Sequence, residues 1–371
     1  MGAAHGRDYG CASFLSLRSR RVSAPSSSAP PYFASDNGVG VSPEILAALT
    51  AANGGAMYSY GADAISARVE KRLSEIFERE VAMFLVSTGT AANALALAAF
   101  TPPWGAVLCH GDAHIEKDEC GAVEFFAAGA RLVHVAGARG LLSPEALAEA
   151  TQMNKGDVHG VQPACVSITQ VSELGTLYSM EHLKEIGRVS RAARLTLHMD
   201  GARFANALVA LGVTPAEMTW KAGVDVLSFG ATKNGAMGVE AVVLFDPAKA
   251  QEMAFRRKRA GHLSSKMRFL AAQMDAYLDK DLWLANARHA NAMAGRLEAG
   301  LRAVAGVEII EPAEANMLFA RLPQPTIDTL LGQGFRFYTD RWGAGVIRLV
   351  TSFATRPEEV DAFVAGVRAA V

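Results

Sequence analysis

The sequence predicts an α/β protein, with a large unit on a mostly parallel sheet that has helices on both faces, followed by a smaller α+β unit. Three observations carry this reading. From about residue 31 to Asp246, short apolar strand-like runs alternate with helix-like ones, the pattern of βαβ units. After Pro247 the pattern changes to long helical stretches with a few short strands. The chain has 371 residues, half of them apolar and a fifth charged, which suits a globular protein of about two domains.

The elements follow in order. "VAMFLVS" (81–87) reads as a strand, and "GTAANALALAAF" (89–100) as a helix opening on glycine and threonine. "GAVLCH" (105–110), "RLVHVA" (131–136), "PACVSITQ" (163–170) and "RLTLHMD" (194–200) are further strands, with a helix at "SMEHLKEIGRVSRAA" before the last of them. "VDVLSFG" (224–230) and "AVVLFDP" (241–247) close the series. Beyond them lie two helix-rich stretches, the short strands "VEII", "MLFARL", "FRFY" and "VIRLV", and a terminal amphipathic helix. The expected organisation is a disordered or leader-like extension over 1–30, a large domain over 31–250 and a small domain over 251–371. The extension holds four arginines, many serines and one acid, Asp8. That composition is transit-peptide-like, but it lacks an apolar core and an amphipathic helix, so a cytoplasmic location is expected.

Composition excludes several classes. Lys plus Arg (36) and Asp plus Glu (37) nearly cancel, which argues against a nucleic-acid or membrane-surface partner. One basic run, Arg256-Arg257-Lys258-Arg259, reads as a solvated helix face or an anion site. No apolar run approaches the ~20 residues of a membrane helix. The four cysteines show no zinc spacing, no metal is expected, and three of them read as ordinary buried thiols in a reducing compartment.

Five segments carry chemistry. In "SFGATKNG" (228–235) an apolar strand runs into small residues around Lys233. Small residues let a flat cofactor approach the backbone, and a lysine beside an apolar sheet is favoured as a neutral, nucleophilic amine. In "HMDGAR" (198–203) Asp200 ends a strand, where an acid can hold the protonated nitrogen of a pyridine ring, with Arg203 nearby. "STGTAAN" (87–93) puts Gly89 and Thr90 at a helix start, a phosphate-binding position. His114, after the strand at 105–110, can sit over such a ring. Arg348, inside "VIRLVT", has the planar fork that suits a carboxylate. Taken alone, each has an ordinary structural explanation: a solvated turn lysine, an Asp-Gly turn, a bare N-cap, a hydrogen-bonded histidine, an internal ion pair. Their order along the chain is that of a pyridoxal 5′-phosphate (PLP) enzyme of fold type I, the aspartate-aminotransferase-like fold.

The motifs "FASDN", "YGAD", "STGTAANALAL", "AHIEKDECGAVEFF", "ITQVSELGTLY", "LHMDGARFANA", "LSFGATKNG", "SKMRFL", "EANMLF" and "IRLVTSF" span about nine-tenths of the chain. In them the sequence resembles the low-specificity L-threonine aldolases, in the beta-eliminating lyase group of fold type I PLP enzymes. It looks closest to the branch with bacterial L-phenylserine aldolase. The resemblance implies a carbon–carbon lyase that splits β-hydroxy-α-amino acids into glycine and an aldehyde. It implies that Lys233 carries PLP as a Schiff base, Asp200 holds the ring nitrogen, Arg203 the phenolic oxygen, and Gly89 and Thr90 the phosphate. His114 would stack on the ring, and Ser35 and Arg348 would hold the substrate carboxylate. Lys258 and Arg268 would reach the phosphate of a neighbouring subunit, in a homodimer or homotetramer with shared active sites. The alternative is another fold type I PLP lyase or an aminotransferase. One departure stands out. Where the better-known branch has an Asn-Thr-His run, this chain has Gln170-Val171-Ser172. The proton acceptor for the β-hydroxyl is then His114 or a bound water, and the smaller Val171 and Ser172 would leave room for an aromatic β-substituent.

Overall fold

The computed structural model describes residues 31–371. The expectation for residues 1–30, and with it Cys11, lies outside them.

Seven strands form the main sheet: β1 (Ala82–Val86), β2 (Gly105–Cys109), β3 (Arg131–His134), β4 (Gln162–Thr169), β5 (Thr196–Gly201), β6 (Val226–Gly230) and β7 (Glu240–Leu244), in the order β1-β7-β6-β5-β4-β2-β3. The central strands are mostly apolar and buried on both faces, as a sheet covered by helices requires. Pairing is parallel from β6 through β3, whereas β7 runs antiparallel to both β6 and β1. The sequence explains the exception. Only residues 231–239 link β6 to β7, and a parallel return needs a crossover of a dozen or more residues.

The helix Gly89–Phe100 matches its sequence pattern at both ends and starts on a Thr88 cap, whose hydroxyl accepts the Ala91 amide at 3.1 Å. Every residue from Ala91 to Ala99 is buried, because this helix is enclosed between the sheet and outer helices. On the other face an aromatic cluster lies beneath the end of β6. The Phe229 ring sits 5.5 Å from Phe204, 5.7 Å from Trp283 and 6.2 Å from Tyr277.

The second sheet has the order β10-β11-β9-β8 and is antiparallel throughout: β8 (Glu308–Glu311), β9 (Met317–Arg321), β10 (Tyr338–Thr339) and β11 (Val346–Val350). Strand β10 begins at the last residue of "FRFY". Arg336 pairs instead with the start of the described chain, where its carbonyl accepts the Phe33 amide at 2.7 Å. Phe335 and Phe337 pack with Phe33 and Phe363 in a second core. Side chains after residue 250, among them Met267, Tyr277 and Trp283, belong to the main core. The helix Leu282–Arg302 starts in the main core at Trp283 and ends in the second at Leu301.

Cys109 and Cys165 are buried, while Cys120 is exposed. Within the basic run, Arg256 pairs with Glu252 at 2.9 Å, and Lys258 is exposed over the Tyr60 ring. Arg257 is partly buried over Phe84. No helix among the described residues is long and apolar enough to cross a membrane.

Candidate active site

Strands β1, β2, β4, β5 and β6 all end at one edge of the main sheet, and β7 begins there. In the register, Thr169 lies opposite Asp200, Asp200 opposite Ser228, and Gly230 opposite Glu240. Open α/β sheets bind ligands at this edge. A cavity of ≈ 260 Å³ opens there, lined by Asn37, Ser87–Thr90, Asn93, His114, Glu119, Asp200, Ala202, Thr232, Lys233 and Glu240.

Lys233 is held by its turn. The segment Thr232–Asn234 is a single 3-10 turn closed by Gly235 at φ +120°. A Cβ at Gly235 would lie 2.3 Å from the Ser42 hydroxyl oxygen, so only glycine fits. Asn234 donates to the Tyr277 hydroxyl and to the Trp283 carbonyl, both at 2.8 Å, fixing the turn on the aromatic cluster. Gly230 is required too, because a Cβ there would meet the Ala202 carbonyl oxygen at 2.4 Å.

Asp200 is buried and has a hydrogen-bond donor on each oxygen, the Ala202 amide at 3.0 Å and the Asn93 side-chain amide at 2.9 Å. The same Asn93 nitrogen donates to Glu119 at 2.9 Å, and Glu119 bonds Nδ1 of His114 at 2.8 Å. Burial works against protonation of His114. The Glu119 hydrogen bond and the charges of Asp200 and Glu173 outweigh it, so His114 holds its proton above the ordinary imidazole range. The other histidine near the site, His198, two residues before Asp200, is a core residue. It is bonded by Ser167 and Ser228 at 2.9 Å each and pushed down to about 4 by burial.

Two arginines stand at the side facing the second sheet. Arg203 makes a buried, two-pronged pair with Asp36, at 2.7 and 2.9 Å. Burial opposes ionisation of Asp36, but Arg203 and Lys233 hold it below the ordinary carboxylate range. The guanidinium of Arg348, on β11, lies against the Tyr338 and Trp342 rings, 4.9 and 5.0 Å from their centres. It donates to the Ala34 carbonyl at 3.3 Å, and its buried Nε has no partner. Burial, with Arg203 nearby, shifts Arg348 below its ordinary range. Ser35 caps the turn that carries Asp36 and Asn37.

Gly89, Thr90, His114, Asp200 and Lys233 thus line one cavity, with Arg203, Arg348 and Ser35 near by. Lys258 and Arg268 are not among the lining residues of the single chain. Arg268 donates to the Gly55 carbonyl at 2.9 Å. Val171 and Ser172 do not line the cavity either, contrary to the expectation that they give room to a substituent. Val171 is part of the main core, and the Ser172 hydroxyl lies 2.6 Å from that of Thr176. Gln170 pins Tyr178 through two hydrogen bonds at 3.0 and 3.1 Å. Asp36, Asn93, Glu119, Glu173 and Glu240 were not singled out from sequence. The clearest available signal was Glu240, a lone acid in the apolar run "GVEAVVLF".

A profile of the beta-eliminating lyase family matches residues 32–323. The low specificity L-threonine aldolase of Pseudomonas sp. (strain NCIMB 10558) is 42% identical over 337 residues, covering 91% of this chain and 97% of that protein. The enzyme of the same name from Pseudomonas aeruginosa is 44% identical over 328 residues, covering 88% and 94%. Among solved structures, the threonine aldolase of Leishmania major superposes with a TM-score of 0.86 at 31% identity, covering 92% of this chain and 99% of that one. The architecture is that of fold type I PLP enzymes. On these matches and this geometry, the chain belongs to the beta-eliminating lyase family and, within it, to the low-specificity L-threonine aldolases.

Proposed function

We propose that this protein is a PLP-dependent aldehyde-lyase that cleaves L-β-hydroxy-α-amino acids to glycine and an aldehyde, with Lys233 carrying the cofactor. The observation that carries the reading is one cavity lined by a lysine, a buried carboxylate and a helix N-terminus, beside an arginine with an unpartnered buried nitrogen. The residues fit PLP. Gly89 and Thr90 open a helix where amides are free for a phosphate. Asp200 accepts two hydrogen bonds that fix its carboxyl group at the cavity wall, where a protonated ring nitrogen would pair with it. Bound there, PLP supplies an electron sink for the pair left on Cα when the Cα–Cβ bond breaks.

The chain supplies the rest. Arg348, whose guanidinium is not committed to any carboxylate of the described residues, receives the substrate carboxylate, with Ser35 beside it, and so orients the Cα–Cβ bond. Tyr338 and Trp342 hold the guanidinium plane in place. His114 accepts the β-hydroxyl proton, and Glu119 fixes the imidazole through Nδ1 and leaves Nε2 for the substrate. A base must be neutral, so the rate should rise as pH passes upward through the raised value of His114. Glu119→Gln removes a charge that holds that proton. The rising limb of kcat should therefore move to lower pH, and an unmoved limb would remove His114 from the role.

His114 is the one imidazole among the residues lining the cavity, so substrate choice rests on apolar fit more than on a second hydrogen bond to the hydroxyl. One such bond is worth about 0.5–1.5 kcal/mol, so selectivity should be broad. A buried aromatic ring contributes at least about as much. L-β-phenylserine should be cleaved at least as well as L-threonine. The kcat/KM ratio for phenylserine, threonine and allo-threonine decides it, and a ratio well below one contradicts it.

The working form is a homodimer or homotetramer in the cytoplasm, with Lys258 and Arg268 directed to a neighbouring subunit's phosphate site. Support comes from their position outside the cavity of their own chain. Light scattering should report at least a dimer, and an active monomer would refute it.

A further inference from the structure

Glu240 lines the same cavity as Lys233, yet nothing in the mechanism above uses it. It is the first residue of β7, opposite Gly230 on one side and Val86 on the other, and only 7% exposed. One carboxylate oxygen accepts the Ala231 amide at 2.7 Å, two residues before the lysine. A buried acid on an interior strand costs free energy unless it is paired or neutral, and such acids cluster at functional sites.

We infer that Glu240 is the proton-holding partner of Lys233, taking the proton that the Lys233 ammonium must lose before its amine can attack the aldehyde of the cofactor. This rests on the reading of Lys233 as the cofactor lysine. The step balances: ammonium plus carboxylate give amine plus carboxylic acid, and the reverse step restores the charge when the lysine is released. Glu240 acts on the cofactor only through Lys233, as the acceptor of its proton.

The surroundings suit the role. Burial pushes Glu240 up to about 7, against hydrogen bonds from Thr232 and Ala231 and the Lys233 charge. It can therefore both take and return a proton near neutrality. The groups that face it are few. On the β6 side are Thr232 and Lys233, and from the helix Arg268–Leu278 comes Tyr277, itself raised mainly by burial, with Glu240 contributing. The helix Gly89–Phe100 brings no titratable side chain. On the β1 side Ser87 faces His262 at 3.3 Å, and Arg257 reaches the Leu85 carbonyl at 3.5 Å, its pKa lowered by burial with Glu70 acting against it.

The test is the rate at which apoprotein captures PLP, followed by absorbance across the neutral range. Wild type should show an inflection near pH 7, slow below it, where Glu240 is protonated and cannot accept. Glu240→Gln keeps an acceptor for the Ala231 amide but cannot take a proton. It should lose the inflection and slow capture at neutral pH by about 10²-fold, the low end for a positioned proton-transfer group. Glu240→Asp should restore the inflection in part. Wild-type rates and profile in Glu240→Gln would overturn the inference. Cofactor captured on a different lysine would instead overturn the underlying reading. If Glu240→Gln does not fold, infrared titration of wild-type and Lys233→Ala apoprotein decides. The buried carboxylic-acid band should persist to higher pH in Lys233→Ala, and identical titrations in the two proteins would contradict the pairing.

Discussion

Lys233→Ala should lower kcat by at least about 10³-fold, the scale expected when a covalent nucleophile and its proton transfer are removed together. The loss should fall on chemistry and not on folding. The turn that presents Lys233 is held by Asn234, by Gly235 against Ser42 and by the aromatic cluster, none of which needs the lysine side chain. The helix start at Gly89 and Thr90 and the Asp200 carboxylate are likewise untouched, so the variant should still bind PLP, weakly and without a covalent bond. Titrating the variant with PLP while measuring aldehyde release separates the two. Turnover near that of wild type would place the chemistry elsewhere.

Asp200→Asn should cost about 10²–10³-fold in kcat, the range for removing one preorganised charged contact. A carboxylate about 4 Å from a protonated ring nitrogen contributes about 4 kcal/mol at an effective dielectric near 20, before desolvation is subtracted. Asparagine keeps the shape but has a single acceptor oxygen, so it can accept from the Ala202 amide or from Asn93 but not from both, and it carries no charge to keep the ring protonated. Binding of PLP should weaken less than turnover. Near-normal turnover would show that the ring proton is not held here.

The layout of the fold was legible because its signals are local. The helix Gly89–Phe100 announced both ends, through a threonine cap and an apolar run interrupted only by Asn93. Strands β1 to β7 were all visible as apolar runs. The antiparallel direction of β7 was not read from the pattern of runs, although the shortness of the 231–239 link accounts for it. The pairing of Arg336 with the segment at Tyr32 was not legible, because nothing within "FRFY" records a partner some three hundred residues away. The site divides in the same way. Lys233, Asp200, Gly89 and His114 stand at strand ends, where local pattern points to them. Asp36, Asn93 and Glu119 gain their meaning from partners distant in sequence: Asp36 from Arg203, Asn93 from Asp200, and Glu119 from both His114 and Asn93. Val171 and Ser172 show the opposite error. Size was readable from the sequence, but direction was not, and both are committed to interior contacts.

The most direct test of the account is reductive trapping. The purified protein, loaded with PLP, is treated with borohydride and digested, and the labelled peptide is identified by mass. The account predicts one label per chain, on Lys233, and none in Lys233→Ala. A label on any other lysine, or full turnover after complete reduction, would contradict it.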